Sequence, residues 1–256
     1  MMKKILTCII ALLIGGFYVQ AQDLSPYVKV GESTESIKTV SDKVVSTLKE
    51  NGFTVLGAYN PSGKATLKVV AFTRNDVKGK VIKVVDRGAL AAVFKVGLEN
   101  KGGKVVISYT NPDYLLRAYL MDNYVTFKST ITKFSTDLKS TLSVLGNEFT
   151  PFGGTVKAEK LKKYHYKVMM PYFTDPVELA EFDSFEQGLT KIQNNLFAKK
   201  GDTKLVYKLI FKKEKVAVFG IGLQSSDEGE SHFLPKIGEA HVAALPYEII
   251  LQDKVA

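Results

Sequence analysis

The chain repeats itself, and no other feature limits its fold as strongly. "KVVAF" at Lys68–Phe72 matches "KVAVF" at Lys215–Phe219, and "GALAAVFKVGLENK" from Gly88 matches "EAHVAALPYEIILQDK" from Glu239. The spacing between these anchors is similar in both halves. Each block also follows an amphipathic helical pattern and a strand-like run, so the chain reads as one α+β unit used twice.

The helical pattern of the first copy is Ile37, Val40, Val44 and Leu48, capped by Ser33 or Thr34 and closed by Asn51-Gly52. In the second copy Phe185, Leu189, Ile192 and Leu196 follow a capping box of Asp183 with Glu186. "FTVLGAYN" and "ATLKVVAFT" read as strands around the turn "PSGK", and "KLVYKLIF" and "KVAVFGIGL" as strands around "KKEK". "RNDVKGKVIKVVDRG" predicts a short helix, whose place in the second copy is taken by the polar "QSSDEGESHFLPKIGE". "ALAAVFKVGLE", "GKVVISYT", "YHYKVMMPYF" and "HVAALPYEIIL" complete the expected strands. After "GKVVISYT", Asn111 or Asp113 caps a helix with Pro112 in its first turn. The expected organisation is a signal peptide at 1–21, a first unit at 22–122, a helical connecting segment at 123–160 and a shorter second unit at 161–256. In each unit a curved antiparallel sheet is packed by helices on one face. The second copy lacks a final strand and helix, so its sheet edge needs covering by the linker, by the first copy, or by another chain in a homo-oligomer.

The N-terminus "MMKKILTCIIALLIGGFYVQAQD" has a short basic end, an apolar run and small residues before Ala21. That pattern predicts a secretory signal peptide cleaved after Ala21 and a soluble periplasmic or extracellular product, with no later segment of transmembrane length. A retained membrane anchor is the rival reading, weakened by how soon the polar residues begin. The single cysteine, Cys8, leaves with the signal, which excludes disulfides, thiolate catalysis and cysteine-ligated metals from the mature chain. The formal charge of +9 falls to +7 on losing Lys3 and Lys4. Arg74, Arg87 and Arg117 are the only arginines, and scattered lysine solvates a surface better than it reads phosphates, so nucleic acid is not an expected partner.

"VVAFTRND", "GALAAVFKVGLENKGGKVVISYTNPDYLLRAYL", "VAVFGIGL" and "VAALPYEIILQD" together resemble the exported bacterial family known as domain of unknown function 302. "LKENGFTVL" and "SYTNPDYLL" match its first and last motifs in copy one, "VFG" and "ALPYEIIL" its middle motifs in copy two, and neither copy holds all four. The resemblance implies a sheet-and-helix fold similar to the half-saddle unit of the TATA-binding protein. It implies no reaction.

Candidate chemistry is sparse. His165, His232 and His241 have neither helical nor strand ligand spacing, and "GIGLQSSDEG" lacks a defensible phosphate-loop context, so no metal or cofactor is expected. No Gly-x-Ser-x-Gly elbow is present. Arg74 and Arg87 flank the same short helix and Arg117 follows Asn-Pro-Asp; together they are the best candidates to receive an anionic group, with Tyr109 or Tyr119 alongside. The competing reading pairs them with Asp76, Asp86 and Asp113 as salt bridges. The leading expectation is an exported, non-enzymatic binding protein that holds an unknown small ligand, or an envelope protein, against the sheet or between sheet and helix. Alternatives are a small-molecule-processing enzyme using the polar loop around His232, with Asp227, Glu228 and Glu230 nearby, and a structural envelope protein.

Overall fold

The structure is a computed structural model that describes residues 23–84, 86–165, 169, 172 and 174–256. The expected signal peptide and most of "YHYKVMMPYF" lie outside the described residues. The chain begins with β1 (Asp23–Leu24), β2 (Tyr27–Ser33) and α1 (Ile37–Glu50). β2 stays extended through Ser33, which moves the helix cap from Ser33 or Thr34 to Ser36. The Ser36 hydroxyl accepts from the Thr39 amide at 3.1 Å. Val40, Val44 and Leu48 form the buried stripe, and Asn51 with Gly52 (φ 79°) ends the helix.

β3 (Thr54–Tyr59) and β4 (Leu67–Thr73) reverse through a 3-10 turn at Pro61–Gly63, and α2 (Asn75–Val81) follows. "ALAA" is not the start of a strand. Gly88–Ala92 coil into a buried 3-10 turn before β5 (Phe94–Lys101) and β6 (Lys104–Thr110). Short unbroken apolar runs carry no periodicity that separates strand from buried coil. At the Asn-Pro-Asp junction the Asn111 side chain accepts from the Asp113 amide at 3.2 Å and starts α3 (Pro112–Leu120) with Pro112 in its first turn. Asn111 Nδ2 also donates to the Ser25 carbonyl at 2.8 Å, tying this turn to the segment before β2.

Next come α4 (Tyr124–Leu142), β7 (Thr150–Phe152) and β8 (Val156–Lys157). The helix expected within the linker and connecting segment 123–160 is α4, and Ile131, Phe134, Leu138 and Leu142 of its apolar stripe are fully buried in the core. The chain continues with α5 (Phe185–Phe197), β9 (Thr203–Phe211), β10 (Val216–Leu223) and α6 (Glu230–Ile237). The α5 cap lies one residue later than expected. Ser184 accepts from the Gln187 amide at 3.2 Å, and Gln187 Oε1 accepts from the Asp183 amide at 2.8 Å, so Ser184 and Gln187 replace Asp183 and Glu186 as the box. "HVAALPYEIIL" again starts as coil. A 3-10 turn at Glu239–Ala244 and a cis Leu245–Pro246 bond precede β11 (Tyr247–Gln252).

Among the described residues all strand pairs are antiparallel, in a six-stranded sheet ordered β3-β4-β5-β6-β2-β7, a three-stranded sheet ordered β11-β10-β9 and the small pair β1-β8. The fold class is α+β. Helices α1 and α4 cover one face of the large sheet, where Phe53, Phe72, Phe94 and Phe134 meet with ring centroids 4.5 to 6.0 Å apart. Helix α5 covers one face of the small sheet with Phe185, Leu189, Ile192 and Leu196 on Ala217, Phe219, Ile221 and Leu251.

Elements from the two halves of the chain then pack together. Leu67 and Val69, on the face of the large sheet away from α1, pack with Tyr59, Leu234, Val242 and Leu245. Gly97 of β5 meets the 3-10 turn of the second unit so closely that a Cβ there would lie 2.8 Å from Val242 Cγ1. Burial on both faces explains why β5 is covered continuously from Phe94 to Glu99, with Lys95 and Glu99 included. Gly57 plays the same part where β3 abuts β9, since a Cβ would lie 2.2 Å from the Val206 carbonyl oxygen.

Candidate functional site

The three arginines do not share a pocket. Arg74 holds Asp76 with Nε and Nη2, both at 2.8 Å, and Asp137 with Nη1 at 2.7 Å, over the rings of Phe53 and Phe134. Arg87 bonds Asp86 at 2.9 Å, Asp175 at 3.1 Å and the Thr174 carbonyl. Arg117 reaches Asp113 at 3.3 Å and lies 4.0 Å above the Tyr124 ring, whose hydroxyl also donates to Asp113. The partners Asp76, Asp86 and Asp113 are those that the salt-bridge reading names. Each guanidinium is spent on its own carboxylates, and only Arg117 lines one of the three cavities described here, the smallest, at about 180 Å³.

Tyr109 is a core residue of β6, between Val96 of β5 and Val28 of β2, and burial pushes its hydroxyl up to about 12. Tyr119 is different: it lines both of the larger cavities. His232 lies on α6 with Nε2 2.6 Å from Lys236 Nζ, and among the described residues no cluster of three or more His, Asp or Glu could hold a metal ion.

The polar loop hides one well-held group. Glu230 is 1% exposed, and its carboxylate accepts from the Tyr59 hydroxyl at 2.6 Å and the Ser62 amide at 2.7 Å. Burial raises its pKa against the opposing pull of those bonds, and the same burial beside this carboxylate pushes the Tyr59 hydroxyl far above its ordinary range. Glu230 therefore bolts α6 to β3 and the turn after it. It is a structural bond between the halves.

The larger cavities lie where the halves meet. One, of about 620 Å³, is walled by Tyr27 of β2, Tyr114 and Tyr119 of α3, Phe233 of α6 and Tyr247 of β11, with Leu245 beside them. A second, of about 600 Å³, shares Tyr119, Ala244, Tyr247 and Glu248 with the first. His241 completes one wall, with its ring 5.5 Å from both Tyr27 and Phe152.

One ion pair stands in this apolar lining. Lys95 Nζ of β5 meets Glu248 Oε1 of β11 at 2.7 Å, with side-chain exposures of 6% and 14%. The fully buried Tyr207 hydroxyl donates to the same oxygen. Thr110 braces the lysine, accepting from the Lys95 amide at 3.0 Å. Sequence reasoning missed this pair because its members lie 153 residues apart in runs that read as plain strands. A signal was present: aligned from Lys101 and Lys254, the final lysines of the two repeats, Lys95 falls opposite Glu248.

No family model matches the chain, and no curated protein matches it.

Proposed function

We propose that this protein is an exported, two-unit binding protein that holds a small amphipathic molecule in the cleft between its units. The observation that carries the reading is the cavity of about 620 Å³ with five aromatic walls and a single buried ion pair. Ligand sites are concave, mostly apolar, and oriented by a few polar groups. Among the described residues no helix is long and apolar enough to cross a membrane, and the N-terminal sequence supports export.

The resemblance to domain of unknown function 302 and to the TATA-binding-protein half-saddle rests on the quoted motifs. The order helix, strand, strand, helix, 3-10 turn, strand occurs from α1 to β5 and again from α5 to β11, which supports two copies of one unit. β5 has β6 on its outer side, whereas β11 is an edge strand among the described residues, which supports oligomerisation there as a second use of the fold.

The test uses Ala244, which is exposed and lines both large cavities, so that Ala244→Trp occludes the cleft without disturbing the core. Isothermal titration with 2-naphthol should show binding to the full chain and loss of binding in Ala244→Trp at an unchanged melting temperature. Equal affinity in both proteins, or none in either, overturns the reading.

A further inference from the structure

Glu248 uses only half of its carboxylate. Oε1 takes both the Lys95 ammonium and the Tyr207 hydroxyl, and among the described residues nothing bonds Oε2. Nor is Oε2 among the buried polar atoms that lack a partner, so it reaches open space, and Glu248 lines both cavities. Lys95 is in a matching position: an ammonium has three N–H donors, and among the described residues Glu248 is the one side chain it bonds. An open acceptor and spare donors thus stand side by side at the polar end of an aromatic-walled cavity.

We propose that Lys95 and Glu248 recognise a neutral, planar, amphipathic ligand carrying a hydrogen-bond donor and acceptor next to each other, as a carboxamide or lactam does. This rests on the cleft-binding reading above and adds the chemical class of the ligand. The pair is already neutralised, so an added cation meets Lys95 and an added anion meets Glu248, each within a poorly solvated space where like charges repel strongly. A neutral amide edge meets neither penalty. Its N–H goes to Glu248 Oε2 and its carbonyl to Lys95 Nζ, and hydrogen bonds to charged groups are the stronger kind. The flat part of the ligand then lies among Tyr114, Tyr119, Tyr247 and Phe233.

Four probes of one shape separate the possibilities: 2-naphthamide, naphthalene, 2-naphthoate and 2-naphthylmethylammonium. Titrated into the full chain by calorimetry, 2-naphthamide should bind about tenfold or more tighter than each of the others, as expected for two added bonds. A variant combining Lys95→Met, Glu248→Leu and Tyr207→Phe removes the polar group without leaving an unpaired partner. It should keep naphthalene affinity within about twofold and lose the amide preference. Tightest binding of the ammonium or the carboxylate, or an amide preference that survives in the triple variant, overturns the ligand class while leaving cleft binding intact. Failure of all four probes to bind removes the cleft-binding reading itself.

Discussion

Removing one member of the Lys95–Glu248–Tyr207 cluster should destabilise the protein unequally, and the inequality follows from who bonds whom. Glu248→Leu strands the Lys95 ammonium at 6% exposure, a loss of about 3–5 kcal/mol for breaking a buried pair. It also strands the fully buried Tyr207 hydroxyl, which adds about 1–3 kcal/mol. Lys95→Met leaves Glu248 still bonded to Tyr207 and bordering a cavity, so its cost should not exceed about 3–5 kcal/mol and should fall below that of Glu248→Leu. Joining both changes removes the stranded charge. The double variant should be no worse than about 1–3 kcal/mol below wild type, the residue being the orphaned Tyr207 hydroxyl, and adding Tyr207→Phe should recover that remainder. Urea denaturation followed by far-UV circular dichroism gives each difference from the midpoint at constant slope. The coupling between positions 95 and 248 should be several kcal/mol, whereas side chains without contact add within about 0.5 kcal/mol. Single variants that each cost under about 1 kcal/mol and add independently would refute the buried pair.

Leu189→Ala should cost about 2–5 kcal/mol in the same melts because Leu189 lies in the α5 core, while Ser184→Ala should cost about 1 kcal/mol and Asp183→Ala less. Gly57→Ala should destabilise by about 1–3 kcal/mol, since its Cβ has no room beneath the Val206 carbonyl. Glu230 is held above its ordinary value of 4.5 mainly by burial, so the folded protein binds this proton more tightly than the unfolded chain. That contribution is fully present below about pH 4.5 and is lost as pH rises through the raised value; urea midpoints against pH should show the fall in wild type and lack it in Glu230→Gln. N-terminal sequencing of the recovered protein should read from Gln22, and an intact Met1 would refute export by signal cleavage.

Much of the fold was legible because burial writes itself into spacing. The stripe Val40, Val44, Leu48 and the stripe Leu189, Ile192, Leu196 both predict helices whose marked residues are buried. Caps were less legible. Ser33, Thr34 and Ser36 are all acceptable cap residues, and the choice falls on Ser36 because β2 continues to pair with β6 as far as Ser33. "ALAA" and "HVAAL" misled for a related reason: apolar residues buried in coil between two units are as apolar as a strand. The arginines misled in the opposite way. Arginine suits anion recognition, but Arg74, Arg87 and Arg117 each sit within four residues of an aspartate that pairs with them.

The site was the least legible part because its residues come from both halves of the chain. β5 keeps β6 at its side, so Lys95 is flanked by strands and points its charge out of the sheet toward the second unit. β11 is an edge strand among the described residues, and its first residues, Tyr247 and Glu248, line open space where β5 has a neighbour. Glu248 therefore stands where the two halves of the chain meet, with Oε1 shared by Lys95 and Tyr207. A sequence repeat can suggest related segments, but the contact between Lys95 and Glu248 is visible only once the two halves of the chain are packed together.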